Sequence, residues 1–228
     1  MGFCARLIVI AACTAVTVGA QTGVPTPAAS PRATTQPAVK TPSATLSSSA
    51  APIEAHIVLG LTYVRGSING SRPLDVVLDS GASVSVVTPR LAEELHLKTG
   101  ETAAAAGPGK GGDSLLHMVH GATLTFGGTT IADQTIAALP IDYIAQQAGV
   151  PTEGIFGGNF FAPFVVDEDY AVHTVRLLDS ATFTPPAGFV SVPVDLGDNV
   201  AFTQLDFQAP DGSKLSGIFV LTVARSAT

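Results

Sequence analysis

The sequence contains no tryptophan, and its two cysteines, Cys4 and Cys13, both lie near the start of the chain. No disulfide can brace the body of the protein, and no thiol is present there to act as a nucleophile. Stability must come from packing, and a cysteine-dependent protease is excluded. Charge is also scarce: 13% of the 228 residues are charged, the formal net charge is −7, and Lys and Arg form no cluster. Neutralising a phosphate backbone takes a concentrated basic face, so nucleic acid is excluded as a partner. Gly-x-Ser-x-Gly and HExxH are missing too, which removes the serine-hydrolase elbow and the zinc-peptidase helix. His117 and His120 stand three apart without further ligands and read as strand or surface histidines. Asp167-Glu168-Asp169 lacks the spaced oxygen ligands of a calcium loop and reads as a solvated strand end.

What is present is a chain that is 46% hydrophobic, enough for one complete core and part of a second. Residues 1–20 have the form of an export signal, with Arg6 as the positive start, an apolar stretch from Leu7 to Val18, and Val18-Gly19-Ala20 as a small-residue cleavage site. A rival reading takes Ile10-Ala11-Ala12-Cys13 as a lipoprotein box. The expectation is an exported protein, periplasmic or secreted, held at a membrane only if Cys13 is lipidated. Residues 21–52 are almost wholly Pro, Ala, Ser, Thr and Val without hydrophobic period, and read as a disordered linker.

From Ile53 onward β-rich runs dominate. Ile57 to Val64 and Leu74 to Leu78, separated by Asn69-Gly70-Ser71, predict a hairpin. Further strands are predicted over Leu115 to Val119, Ala122 to Phe126, Thr130 to Ala138, Phe164 to Asp167 and Thr174 to Leu178. Three short helices are predicted: one capped by Thr88 with Pro89 at its first position and Leu91, Ala92 and Leu95 on its buried face, one over Ile141 to Ala148 stopped by Gly149, and one over Gly158 to Ala162. The fold class is therefore all-β with a few short helices.

One acidic residue stands out. Asp79 emerges from the apolar run Val76-Val77-Leu78 and precedes Ser80-Gly81-Ala82. A carboxylate leaving a buried strand must lose water unless the next turn supplies donors. Gly81 permits a turn that aims backbone N–H groups at Asp79, and Ser80 can tie that loop to a neighbouring backbone. Alone, the pattern is more often an ordinary strand-end turn than a catalytic site. Near the C-terminus Gly212-Ser213-Lys214 leads into a second apolar strand, much as Gly70-Ser71-Arg72 does. A gapless comparison lays Asp79 on Leu221 and Gly81 on Val223, so the second copy lacks the carboxylate.

Over roughly Ile53 to Asp179 the order of these segments resembles the retropepsin-like aspartic peptidases. Leu78-Asp79-Ser80-Gly81-Ala82 followed by Val86-Val87-Thr88-Pro89 and a short helix is similar to the family's catalytic segment and its sequel. Gly154-Ile155-Phe156-Gly157-Gly158-Asn159-Phe160 resembles its second signature, a strand that crosses beside the catalytic loop. The resemblance implies a barrel lobe over 53–184 and a partial second lobe lacking the catalytic Asp over 185–228. It further implies that Asp79 is catalytic, that Ser80, Gly81 and Ala82 shape its loop, and that Gly154, Ile155, Phe156, Gly157 and Asn159 support it. The glycine-rich stretch with Gly107, Gly109, Gly111 and Gly112 stands where the family has a flap, within 106–118. A mobile surface loop fits that stretch equally well, whereas a phosphate loop does not, because Gly-Lys-Ser/Thr is missing.

The implied activity is aspartic-type endopeptidase action on peptide or protein substrates, with neither metal nor cofactor. Such hydrolysis uses two facing carboxylates, and Asp79 is only one. Three arrangements stay open: a homodimer pairing two Asp79 residues, a non-catalytic peptide-binding module, and a truncated copy of a two-lobed enzyme.

Overall fold

The computed structural model describes residues 6–10, 44–46, 51–105, 114–187, 194–209 and 211–222. The strands in chain order are β1 (Arg6–Ile10), β2 (Ala44–Thr45), β3 (Ile53–Glu54), β4 (His56–Val58), β5 (Leu61–Ile68), β6 (Leu74–Leu78), β7 (Val86–Val87), β8 (Thr99–Ala105), β9 (Ser114–Phe126), β10 (Thr129–Ala138), β11 (Gly154–Phe156), β12 (Phe164–Asp169), β13 (Thr174–Asp179), β14 (Asp195–Gly197), β15 (Val200–Gln208) and β16 (Lys214–Leu221). Three short helices interrupt them: α1 (Pro89–Glu94), α2 (Asp142–Ala148) and α3 (Gly158–Phe161). The all-β class with few helices holds.

Most of the segment boundaries follow from local chemistry. The Asn69-Gly70 turn has φ of 50° and 71°, the left-handed pair that a tight hairpin requires. The predicted Ile57 to Val64 run is split by another such turn, because Leu59 and Gly60 both take positive φ, 51° and 80°. Leucine rarely accepts that conformation, so composition gave no warning of the β4–β5 hairpin. The two runs predicted over 115–126 merge into β9, whose pairing with β10 shifts register around Gln134. Helix α1 starts as expected: the Thr88 hydroxyl accepts from the Leu91 N–H, and Pro89 opens the first turn. Helix α2 ends at Gly149 in the left-handed conformation, φ 67°.

The strand pairings β10–β7–β11–β6–β5–β9–β10 close on themselves. Closure leaves no free edge among these strands, which a chain without disulfides can use in place of covalent bracing. Inside, Phe160 on α3 stacks on Phe156 at 4.9 Å and lies 6.0 Å from each of Phe126, Phe161 and Phe164. Val76, Leu78, Leu124, Ile131 and Ile136 complete the same cluster. A second cluster on the other side of β6 collects Tyr63, Val77, Val86, Ile141 and Ile155. The alternation of Val76 and Leu78 with Val77 is what feeds both.

A separate sheet, ordered β1–β12–β13–β3, packs beneath the barrel. Residues 6–10, inside the expected export signal, pair antiparallel with β12, while 1–5 and 11–20 lie outside the described residues. Most of the expected linker, 21–43 and 47–50, also lies outside them. Ala44–Thr45 forms a short strand on β10.

Asp167-Glu168-Asp169 is not a solvated strand end. Asp167 and Glu168 are each 2% exposed, because β12 is an interior strand flanked by β1 and β13. Asp167 is neutralised across the ladder by Arg176, at 2.6 Å. Among the described residues Glu168 has no such cation. One of its carboxyl oxygens accepts from the Thr62 hydroxyl at 3.0 Å, and the other has no partner. Burial pushes its pKa up to about 7, against the opposing effect of the Thr62 and Tyr170 hydroxyls.

Two predictions arise here. In the unfolded chain Glu168 loses its proton near the ordinary value of 4.5, and in the folded protein only near 7. Its contribution is therefore greatest at or below pH 4.5, falls by about 3 kcal/mol as pH rises to 7, and is flat beyond. Urea midpoints measured between pH 4.5 and 8 should fall in the wild type and vary much less in Glu168→Gln. The second concerns Gly157, where an added Cβ would lie 2.7 Å from the carbonyl oxygens of both Ala82 and Val84. Backbone cannot yield cheaply at such a crossing, so Gly157→Ala should cost about 3 kcal/mol in equilibrium unfolding.

Candidate active site

Asp79 follows β6 directly, and its position is set by two strands. The parallel ladder between β6 and β11 continues one step beyond Leu78, with the Asp79 N–H donating to the Phe156 carbonyl at 3.0 Å. The chain then turns: the Ala82 N–H donates to the Asp79 carbonyl at 3.1 Å, and the Gly81 N–H donates to the Asp79 carboxylate Oδ1 at 2.8 Å. The donor expected from the glycine turn is present. The carboxylate itself is half-buried, and Ser80 beside it is 4% exposed.

The expected supporting residues converge on this loop. Gly154 fits because a Cβ there would stand 2.7 Å from the Val86 carbonyl, where β11 lies between β6 and β7. Ile155 and Phe156 face opposite clusters, as alternation along a strand requires. Gly157 lets the loop carbonyls of Ala82 and Val84 come close, and the Gly158 N–H donates to the Ala82 carbonyl at 2.6 Å. Asn159 works as a clamp with all its polar atoms engaged. Its Oδ1 accepts from the Ser85 N–H and hydroxyl, both at 2.7 Å, and its Nδ2 donates to Gln134 Oε1 and the Thr135 carbonyl. The Ser85 hydroxyl in turn accepts from the Gly157 N–H at 3.0 Å. Ser85 and Gln134 were not foreseen. Each is an ordinary polar residue in sequence, and only their burial, at 2% and 4% exposure, marks them.

The flap residues Gly107, Gly109, Gly111 and Gly112 lie outside the described residues. The strands that lead into and out of that stretch, β8 and β9, pair antiparallel from Thr99 to Ala105. His117 is exposed on β9. His120 is exposed too, and joins the strands through Glu101 at 2.9 Å and the Thr135 hydroxyl at 3.0 Å.

The C-terminal strands β14, β15 and β16 form a three-stranded antiparallel sheet whose ends reach the Asp79 loop. The Thr222 hydroxyl donates to Asp79 Oδ1 at 2.8 Å, and the Ser80 hydroxyl donates to the Leu221 carbonyl at 3.3 Å. Ser80 thus ties its loop to a neighbouring backbone, as the sequence suggested. A Cβ on Gly81 would approach Thr222 Oγ1 to 3.0 Å. The Asn199 side chain donates to the Ser83 carbonyl at 3.3 Å. The gapless comparison that laid Leu221 on Asp79 needs correcting by one position: the residue that meets the carboxylate is Thr222. Gly212 stands ten residues before Thr222 and Gly70 nine before Asp79, an offset that a comparison without gaps cannot show.

Comparison with known proteins bears on this arrangement. Residues 64–160 match the family model described as aspartyl protease, a span that contains Asp79, its loop and the supporting segment through Phe160. No curated protein matches the chain. Among solved structures, similarity is found to a retropepsin-like aspartic protease from Rickettsia conorii, at 13% identity and TM-score 0.36, covering 61% of this chain and 97% of that one. The retroviral protease-like domain of Ddi1 from Leishmania major is similar at 16% identity and TM-score 0.34, covering 54% of this chain and 98% of that one. Residues 64–160, with Asp79 on its glycine turn, are thus similar to the aspartyl protease family.

Proposed function

We propose that this chain acts in peptide-bond hydrolysis as an aspartic-type endopeptidase, with Asp79 as one of two required carboxylates. The observation that carries the reading is the half-buried Asp79 carboxylate, held at the end of a buried strand by the Gly81 N–H. Burial strengthens its interaction with any group brought opposite, and the donors of the turn hold it in one orientation without a cation. In such a site the ionised carboxylate takes a proton from water while its protonated twin donates to the scissile carbonyl, so neither metal nor covalent intermediate is required. The twin would come from Asp79 of a second copy or from a second lobe. An extended peptide would lie across the loop beneath the 106–118 stretch as flap, and export through residues 1–20 would place the activity outside the cytoplasm.

A non-hydrolytic peptide-binding module is the second reading. It is favoured by one observation: among the described residues, the side chain of the C-terminal strands that meets Asp79 is the Thr222 hydroxyl, which is not an acid.

The expected outcome of the first reading is cleavage of a mixed peptide library that a statine-type analogue inhibits. Asp79→Asn should lower it by about 10²- to 10⁴-fold or more, the usual worth of a general acid or base. Mass spectrometry of the products checks this, with sedimentation reporting whether the active species is one chain or two. Equal cleavage by wild type and Asp79→Asn would refute the assignment.

A further inference from the structure

The two strand ends that meet at the site can be compared residue by residue. Strand β6 leads through Val77-Leu78 into Asp79, and β16 leads through Val220-Leu221 into Thr222. The sequences continue as Ser80-Gly81-Ala82-Ser83 and Val223-Ala224-Arg225-Ser226. In space the match is between the same positions. Residue 222 presents its hydroxyl to Asp79 Oδ1 at 2.8 Å, while the backbone just before it accepts from Ser80 at 3.3 Å. The separation of the two side-chain oxygens is the one that two carboxylates sharing a proton would adopt. The barrel half supplies Asp79, and the C-terminal half supplies Thr222 at the same place.

We propose that Thr222 occupies the seat of the second carboxylate within the chain, so that a single chain carries both halves of the site and cannot hydrolyse by itself for want of one acidic group. This rests on the reading of Asp79 as half of a dyad. A threonine hydroxyl does not ionise in the range where carboxylates exchange protons. It donates to Asp79, but it cannot alternate between acid and base, and it cannot hand a proton to a scissile carbonyl. The chain keeps an acceptor for a peptide and the walls of a site, and lacks the donor that polarises the bond.

The test uses the full chain in five forms: wild type, Thr222→Asp, Thr222→Asn, the triple variant Thr222→Asp/Val223→Ser/Ala224→Gly, and Thr222→Asp with Asp79→Asn. The triple variant repeats the tripeptide at Asp79 and covers the case in which the single acidic substitution fails to fold. Each is assayed for folding by thermal melting, for mass by sedimentation, for binding of a labelled statine-type peptide, and for cleavage of a mixed peptide library between pH 3 and 7. Wild type that sediments as one chain is expected to bind the statine-type peptide and to cleave nothing. An acidic variant is expected to cleave at least about 10²-fold above wild type, with a bell-shaped pH profile, as one chain. Thr222→Asn and the Asp79→Asn double variant are expected to stay silent. Folded acidic variants that bind the peptide and do not cleave would overturn the proposal. Wild type that cleaves as one chain would overturn it as well, and would leave the peptidase reading standing. If no form binds the peptide or cleaves the library, both fall.

Discussion

The site depends on the crossing of two chain segments that come within backbone contact, the Asp79 loop and the turn between β11 and α3. Gly157 makes that contact possible, because any side chain there would meet two carbonyl oxygens of the loop. Once the segments touch, the Phe156 carbonyl fixes the Asp79 N–H, the Ala82 carbonyl receives the Gly158 N–H, and Asn159 clamps Ser85. The loop is thereby held by backbone atoms on both sides before any side chain reaches the carboxylate. Helix α3, directly after Gly157, serves the same end, since its Phe160 anchors the segment in the aromatic cluster. Packing sets the crossing, the crossing sets the loop, and the loop sets the orientation of Asp79.

Sequence disclosed those parts whose chemistry is local. A Thr-Pro helix start, an Asn-Gly turn and a glycine two residues after an aspartate each carry their own physical reason, and each appears where expected. Hidden parts depended on partners far along the chain. Leu59 adopts positive φ within a tight hairpin, a conformation its side chain disfavours. Strands β7 and β11 are two and three residues long, too short for any period to be seen. The acidic run at 167–169 looks like surface in any window of sequence. It is interior because β12 lies between two other strands, and Arg176 neutralises Asp167 from the neighbouring one.

Glu168 illustrates how such a chain can keep a carboxyl in its interior without a counter-charge. With Thr62 on one oxygen and nothing on the other, the group is more easily accommodated as the neutral acid. That choice ties the sheet beneath the barrel to proton concentration. Asp79 has a different solution to the same problem of a carboxylate near a core, since it remains half-exposed and accepts from two donors. The two acids differ in what surrounds them and not in kind, and only the second is left within reach of a ligand.

The two halves that meet at Asp79 are unequal in how firmly they are held. The barrel closes on itself and buries its large side chains, whereas the C-terminal sheet leaves Leu215, Ile218 and Val220 exposed and buries little beyond Val200, Ala201 and Thr203. Burial of apolar surface is what fixes a sheet, so the C-terminal strands have the weaker claim to their place. Their contact with the loop rests on a few hydrogen bonds, of which the one to the Asp79 carboxylate contributes about 1.5–3 kcal/mol. The Asp79 turn, with its own backbone bonds and its glycine crossing, does not need that contact to form. A rigid half thus presents a prepared carboxylate, and a lightly held strand determines what stands opposite. Thr222, the residue that meets the carboxylate, follows β16 and takes no part in the backbone bonds that position Asp79.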